Sequence, residues 1–154
     1  MKHDLCFDLD GTLTDSQEGI VNCVVYALER LGVDVPPSVD LVRFIGCPLR
    51  EVFAELLDGS SDCTTKRVAE ATTLYRERFS TVGLFENKVY SRVPEMLEAL
   101  KQEGHRMFIV TSKPKVYAVQ ILEHFKLLHY FQDVYGPGLD GEHDNKPRLM
   151  QMLI

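Results

Sequence analysis

The stretch FDLDGTLTD at residues 7–15 decides the fold, because it places two carboxylates at the end of a short apolar run. Residues 4–8 are predicted to form a buried strand with Asp8 at its C-terminal end. Gly11 then permits a tight turn. Open α/β sheets bind ligands at the carboxyl ends of their strands, so the sequence predicts a site beside Asp8 and Asp10.

The spacing of the two acids indicates phosphorus chemistry. A carboxylate is a nucleophile toward phosphorus, and a second carboxylate nearby can protonate the leaving oxygen and later activate water. Two neighbouring acids repel, so a hard cation such as Mg²⁺ would relieve the site. An EF-hand calcium loop is disfavoured because Gly11 comes too early and the distant Glu is missing. A purely structural turn is also disfavoured, since Asp8 follows an apolar strand and buried unpaired carboxylates are costly.

The rest of the chain alternates between helical and strand patterns. A helix is predicted between a Ser16 or Thr14 cap and Gly32, and residues 17–83 show helical spacing with no strand signal. Further strands are predicted at Met107–Val110 and Asp133–Tyr135. Helices are predicted after Pro94, after Pro114 and over Arg148–Ile154. This order predicts an α/β fold with a parallel sheet and right-handed crossovers.

Composition excludes several classes of function. The chain has 154 residues and a formal net charge of -6, so it is a poor general binder of nucleic acid polymers. No apolar run approaches the roughly 20 residues of a membrane span, and the N-terminal residues MKHDLCFDLD do not resemble a signal peptide. A cytoplasmic protein without a membrane partner is therefore expected. Cys6, Cys23, Cys47 and Cys63 form no CxxC pair and are predicted to be reduced, with Cys6 and Cys23 in the core.

The stretch FDLDGTLTDS resembles the first motif of the haloacid dehalogenase (HAD) superfamily, and specifically of its phosphatases. The resemblance implies a Rossmann-like core in which Asp8 is the nucleophile and Asp10 the general acid/base. It also implies that the Asp8 carboxylate and the Asp10 backbone carbonyl ligate Mg²⁺. Dehalogenases lack the second Asp, so Asp10 indicates phosphoryl transfer. Thr12 is a substrate-binding candidate that would support the loop by hydrogen bonding, and the alternative is a simple turn residue.

The segment VTSKP resembles the second motif of the same family. Thr111 follows a predicted strand and precedes a helix, where hydroxyl and N–H groups bind phosphate. The resemblance implies that Thr111 holds the transferred phosphoryl group. Ser112 and Lys113 are secondary substrate-binding candidates, and Lys113 either faces the substrate or is solvated.

Residues 17–83 resemble the helical cap that one branch of the family inserts after its first motif. The resemblance gives a core domain of residues 1–16 and 84–154 and a cap domain of residues 17–83. The stretch FIGCPLR resembles the cap loop that faces the active site. Gly46 and Arg50 are therefore substrate-binding candidates, together with Arg43, and plain surface arginines are the alternative. The branch most similar to this chain contains phosphoglycolate phosphatases and 5′-nucleotidases.

Lys146, in the stretch DNKPRLM, resembles the family's lysine that neutralises the phosphate and the nucleophile. The glycine-rich loop before it, residues 136–145, is predicted to be only a connection. The family's fourth motif, an acidic segment that completes the Mg²⁺ site, is not found in this sequence. The core is therefore expected to be incomplete, with about three strands, an uncovered edge at the first strand and weak or absent turnover of this piece alone.

Taken together, the resemblance implies a Mg²⁺-dependent phosphatase that acts on a small phosphomonoester, either phosphoglycolate-like or nucleotide-like. A phosphomutase shares every motif found here and remains open. A non-catalytic binding module also remains open, because it would keep the acids and lose the last metal ligand. No residue pattern names the substrate or the oligomeric state.

Overall fold

The structure is a computed structural model that describes residues 2–35, 40–58, 65–140 and 146–151. Within these ranges the strands are β1 (Asp4–Phe7), β2 (Thr14–Asp15), β3 (Lys88–Val89), β4 (Arg106–Val110) and β5 (Asp133–Tyr135). The helices are α1 (Gln17–Arg30), α2 (Leu49–Leu57), α3 (Thr65–Arg78), α4 (Val93–Gln102), α5 (Lys115–His124) and α6 (Lys146–Gln151). Short 3₁₀ turns lie at Leu41–Phe44 and Leu128–Tyr130, and a π-helical turn lies at Phe79–Gly83.

The chain divides into two compact units. The sheet unit comprises Met1–Asp15 and Lys88–Ile154, and the helical unit comprises Ser16–Asn87. No strand occurs in the described part of the helical unit. That this unit acts as a cap stays a prediction. Among the helices that the structure describes, none combines the length and the hydrophobicity needed to cross a membrane.

The sheet unit contains a three-stranded parallel sheet in the order β1-β4-β5. Its central strand is buried from Met107 to Val110, as predicted from its continuous apolar run. Strand β5 pairs with β4 from Asp133 onward. The α/β fold with parallel strands is therefore confirmed.

Strand β1 differs from the prediction of a buried strand. Asp4 and Cys6 are exposed, whereas Leu5 and Phe7 are half-buried. Within the described residues β1 has a neighbouring strand, β4, on one side only. Successive side chains of a strand point to opposite faces, so an edge strand buries one alternate set at most. The assignment of Cys6 to the core is wrong for this reason.

The other described cysteines differ in burial. Cys23 is fully buried, as predicted, and Cys47 is exposed. No disulfide links Cys6, Cys23 or Cys47, and Cys63 lies outside the described residues.

Two strands escaped the sequence patterns. Thr14 pairs with Val89 and Asp15 with Lys88 in a two-stranded antiparallel ribbon, which we call the β2–β3 ribbon. Each strand is only two residues long, too short for an alternation of polar and apolar residues to appear. The ribbon is extended by a hydrogen bond from the Tyr90 backbone N–H to the Leu13 carbonyl.

The first helix of the helical unit begins and ends near the predicted positions. Ser16 occupies the N-cap position, but its side chain makes no capping hydrogen bond, so the predicted cap is only positional. Gly32 has a φ of 70° and its N–H bonds to the Glu29 carbonyl, which ends the helix as expected. The final helix α6 begins at Lys146 itself, and residues 152–154 of the predicted helix lie outside the described residues.

Helix α1 makes a close contact with the π-helical turn. A Cβ on Gly19 would lie 2.2 Å from the Gly83 carbonyl oxygen, and a Cβ on Gly83 would lie 2.5 Å from the Cys23 sulfur. The Gly19 N–H also donates to the Glu86 carbonyl at 3.0 Å. The start of the helical unit therefore lies directly beside its end.

Candidate active site

The loop after β1 carries the two acids and is held by its own backbone. Asp8 follows β1 directly, and its Oδ1 accepts a hydrogen bond from the Leu9 N–H at 2.8 Å. Gly11 has a φ of 77°, and its N–H donates to the Thr14 carbonyl at 2.8 Å. Leu9 is fully buried and anchors the loop in the core. The tight glycine turn predicted from the sequence is confirmed.

The loop after β4 is equally well fixed. Thr111 is buried, and its N–H donates to the Tyr135 carbonyl at 2.9 Å. Its hydroxyl oxygen accepts from the Lys113 N–H at 3.1 Å. Because β1 and β4 are parallel neighbours, Asp8 and Thr111 both leave the same edge of the sheet.

A buried ion pair connects these two loops. The Lys113 Nζ lies 3.1 Å from the Asp10 Oδ2, and the side chains are 6% and 8% exposed. The Asp10 Oδ1 is also buried, and it has no hydrogen-bond partner among the described residues. Lys113 is therefore not a solvated surface lysine, which was one of the two predicted alternatives.

A glycine that no sequence pattern had singled out supports this pair. A Cβ on Gly136 would lie 2.5 Å from the Lys113 carbonyl oxygen and 3.0 Å from the Lys115 nitrogen. The Lys115 N–H donates to the Pro137 carbonyl at 3.0 Å. Residues 136 and 137 are therefore packed against the loop after β4, whereas the sequence predicted a simple connection there. The sequence signal that could have indicated this packing is the glycine directly after β5.

The other candidates in the sheet unit occupy less defined positions. Thr12 is exposed and donates its backbone N–H to the Leu9 carbonyl at 3.2 Å, as a turn residue does. Ser112 is half-buried between Thr111 and Lys113. Lys146 begins helix α6, which contacts β4, and its side chain lies outside the described part of the structure.

The candidates in the helical unit lie around α2. Gly46 has a φ of 83°, and Arg50 is exposed in the first turn of α2. Arg43 forms an ion pair with Glu55 and stacks 4.6 Å above the Phe44 ring. Arg43 is thus engaged within its own unit. The substrate-binding roles of Gly46 and Arg50 stay predictions.

The loop after β1 offers oxygen donors of the kind that Mg²⁺ prefers. They are the Asp8 carboxylate and the Asp10 backbone carbonyl. The described residues contain no group of three or more His, Cys, Asp or Glu side chains placed to hold a metal. Mg²⁺ commonly takes one or two carboxylates and completes its shell with water and phosphate oxygens. The donor chemistry of this loop therefore fits Mg²⁺, with few protein ligands.

Comparison with known proteins identifies the family of the chain. A family model described as haloacid dehalogenase-like hydrolase matches residues 5–151. A 5′-nucleotidase from Pseudomonas aeruginosa is 45% identical over 150 residues, which cover 97% of this chain and 66% of the relative. A phosphoglycolate phosphatase from Vibrio parahaemolyticus is 28% identical over 154 residues and is covered to 68%.

A solved structure shows the same fold. The crystal structure of a predicted phosphatase from Clostridium acetobutylicum superimposes with a TM-score of 0.88 and 39% identity, covering 99% of this chain and 68% of that chain. The chain thus spans about two thirds of the length of these relatives. The resemblance stated from the sequence is confirmed. Since the family model matches almost the whole chain, the chain belongs to the haloacid dehalogenase-like hydrolase family.

Proposed function

We propose that the protein is a Mg²⁺-dependent phosphatase that cleaves a small phosphomonoester through an aspartyl-phosphate on Asp8. The observation that carries this proposal is the arrangement at the edge of the sheet. Two carboxylates follow β1, one of them has a buried oxygen without a partner in the described chain, and Thr111 leaves the adjacent strand. Phosphatases of the same family are among the similar proteins.

In the proposed reaction, Asp8 attacks phosphorus and the bond to the leaving oxygen breaks. Asp10 donates its proton to that oxygen, and the alcohol departs. Asp10 then removes a proton from water, which attacks the aspartyl-phosphate and releases inorganic phosphate. Thr111 and Lys146 are assigned to the phosphoryl oxygens, where fixed donors stabilise developing charge.

Asp8 and the Asp10 backbone carbonyl would hold the Mg²⁺ ion. When bound, the ion neutralises phosphate charge and orients the phosphoryl group toward the nucleophile. The protein's own contribution is a fixed loop: the hydrogen bonds at Leu9 and Gly11 place both acids before the substrate enters. Preorganised groups avoid reorganisation during the reaction.

The proposed substrate class is supported by the names of the relatives and by the presence of the helical unit. A 5′-nucleotidase and a phosphoglycolate phosphatase both act on small phosphomonoesters, which favours such a substrate here. We assign residues 17–83 as a cap that excludes water and contacts the substrate through Gly46 and Arg50. A cytoplasmic location is part of the same proposal.

The decisive experiment replaces the nucleophile in the full natural chain. Asp8→Asn should lower phosphate release from p-nitrophenyl phosphate with Mg²⁺ by more than about 10³-fold, since the aspartyl-phosphate can no longer form. Asp4→Asn, on the same strand and exposed, is the matched control and should retain activity. Retained activity in Asp8→Asn contradicts the proposal, and an isomerised sugar phosphate in place of free phosphate indicates a mutase.

A further inference from the structure

On the basis of the proposed function, we propose that Lys113 is a positioning residue for Asp10. It fixes the Oδ2 of that carboxylate so that the Oδ1 is presented to the leaving group. This role differs from the substrate contact implied by the sequence. It makes the buried ion pair between the two loops a part of the proton-transfer machinery.

The first support is the asymmetry of the Asp10 carboxylate. One oxygen accepts from the Lys113 ammonium group at 3.1 Å, and the other is buried with no partner among the described residues. A buried acceptor without a partner costs free energy, so its persistence is typical of a site that awaits a proton or a ligand. Of the two oxygens, Oδ2 is therefore held by Lys113, and Oδ1 is the one left for the leaving group to contact.

The second support is the desolvation of Lys113. Its side chain is 6% exposed, and a lysine is almost never buried to that degree without a paired charge. A buried pair breaks at high cost when one partner moves, because the other is left uncompensated. Asp10 is thus held in one rotamer by the pair.

The third support is the rigidity of the backbone that carries Lys113. Its N–H is bound by the Thr111 hydroxyl, and the Thr111 N–H is bound by the Tyr135 carbonyl. On the other side, Gly136 leaves no room for a Cβ against the Lys113 carbonyl. Sites mounted on such fixed backbone hold their geometry more closely than sites on loose loops.

The competing role is direct contact between Lys113 and the substrate phosphate. A phosphate contact acts on every phosphomonoester alike, because every such substrate carries the same group. A residue that positions the general acid acts through the leaving group, since a poor leaving group needs protonation and a good one does not. Leaving-group dependence therefore separates the two roles.

The experiment compares Lys113→Met with the wild type in the full chain on an alkyl phosphate and on p-nitrophenyl phosphate. We expect kcat/KM to fall by about 10²-fold for the alkyl phosphate and by less than about 5-fold for p-nitrophenyl phosphate. This ratio reports the step that transfers the phosphoryl group to Asp8, where leaving-group protonation occurs. Lys113→Arg keeps a donor for Asp10 and should recover part of the alkyl phosphate rate.

Lys115→Met is the matched control, because Lys115 is exposed and its side chain pairs with Asp133 outside the loop. Lys115→Met should leave kcat/KM unchanged for both substrates. If Lys113→Met does not fold, Gly136→Ala replaces it, since this change moves the Lys113 backbone without removing the charge. The same leaving-group dependence is expected of it.

The outcomes are distinguishable. Equal losses on both substrates in a folded variant overturn the positioning role and favour a phosphate contact. Unchanged rates overturn it as well. A wild-type chain that releases no phosphate from either substrate overturns the proposed function, and this inference with it.

Discussion

The two ends of the β1–β4 pair carry the same kind of interaction in opposite surroundings. At the amino end, Arg106 pairs with Asp4, its register partner, and the side chains are 65% and 47% exposed. At the carboxyl end, Lys113 pairs with Asp10, and the side chains are 6% and 8% exposed. Water screens the first pair and is excluded from the second. Both pairs join opposite charges, so burial is what distinguishes the surface ion pair from the ion pair of the candidate active site.

The helical unit contains an intermediate case. Arg78 Nη1 lies 2.6 Å from Glu86 Oε2, and the side chains are 21% and 22% exposed. Asn22 also donates to this carboxylate, and Arg78 also donates to the Cys23 sulfur. Several hydrogen bonds hold this pair, which joins α1, α3 and the end of the unit. We expect this pair to contribute to stability alone. Its exposure lies between those of the other two pairs.

The largest expected effect comes from the buried pair. Asp10→Asn keeps the shape of the side chain and removes the group that transfers the proton, so phosphate release should fall by about 10² to 10⁴-fold. Steady-state kinetics on an alkyl phosphate measures it, and circular dichroism checks that the fold is kept. Full activity in Asp10→Asn would show that the buried pair is no more needed for activity than the exposed pair of Arg106 and Asp4.

The next effect concerns the support of that pair. Gly136→Ala introduces a Cβ 2.5 Å from the Lys113 carbonyl oxygen, so the backbone must shift. The free energy of unfolding should fall by about 1–3 kcal/mol, as is typical of overpacking. Urea denaturation measures this change. Gly138→Ala is the control, because its nearest neighbour is the carboxylate of the exposed Asp140 side chain and not a backbone atom. Equal stability of the two variants would contradict the close packing at residue 136.

The pair in the helical unit predicts a dependence on pH. The hydrogen bond from Arg78 holds the pKa of Glu86 below its ordinary value of 4.5. A carboxylate with a lowered pKa in the folded state stabilises the protein above about pH 4.5 and loses this contribution as the pH falls through the lowered value. Glu86→Gln should therefore cost about 1–2 kcal/mol at neutral pH and much less in acid.

Urea denaturation of the wild type and of Glu86→Gln at several pH values tests this expectation. Glu55→Gln is the control, since Glu55 pairs with Arg43 in the same unit with more than half of each side chain exposed. The control should show no comparable pH-dependent difference. A constant difference between Glu86→Gln and the wild type at all pH values would contradict the linkage to Glu86.

The smallest effect is expected at the amino end of β1 and β4. Arg106→Ala removes the exposed pair with Asp4 and should shift the melting temperature by less than about 3 °C, with unchanged activity. Differential scanning calorimetry measures the shift. A larger shift would show that exposure alone does not rank these pairs.

The sequence predicted those features that arise from local patterns. The apolar run at β4, the glycine turn after Asp10 and the acids at the strand end were all readable, because each depends on neighbouring residues. The pairing of Lys113 with Asp10 was not readable, since the two residues come from loops that only the sheet brings together. The exposure of Cys6 was missed because its neighbours in the sequence are apolar, whereas its burial depends on what lies beside the strand in the sheet. The close contact at Gly136 was missed because it joins two loops that are distant in the sequence.

The β2–β3 ribbon has a consequence for engineering. Thr14 and Asp15 lie opposite Val89 and Lys88, so the helical unit is inserted at a single point of the sheet unit. A two-residue turn is the usual connection of two such antiparallel strands. Joining Asp15 to Lys88 by Asn-Gly would turn the ribbon into a β-hairpin and leave β1, β4 and β5 uninterrupted. The helical unit is thus an exchangeable module. Its removal or replacement leaves the strand order and the connections of the β1-β4-β5 sheet unchanged.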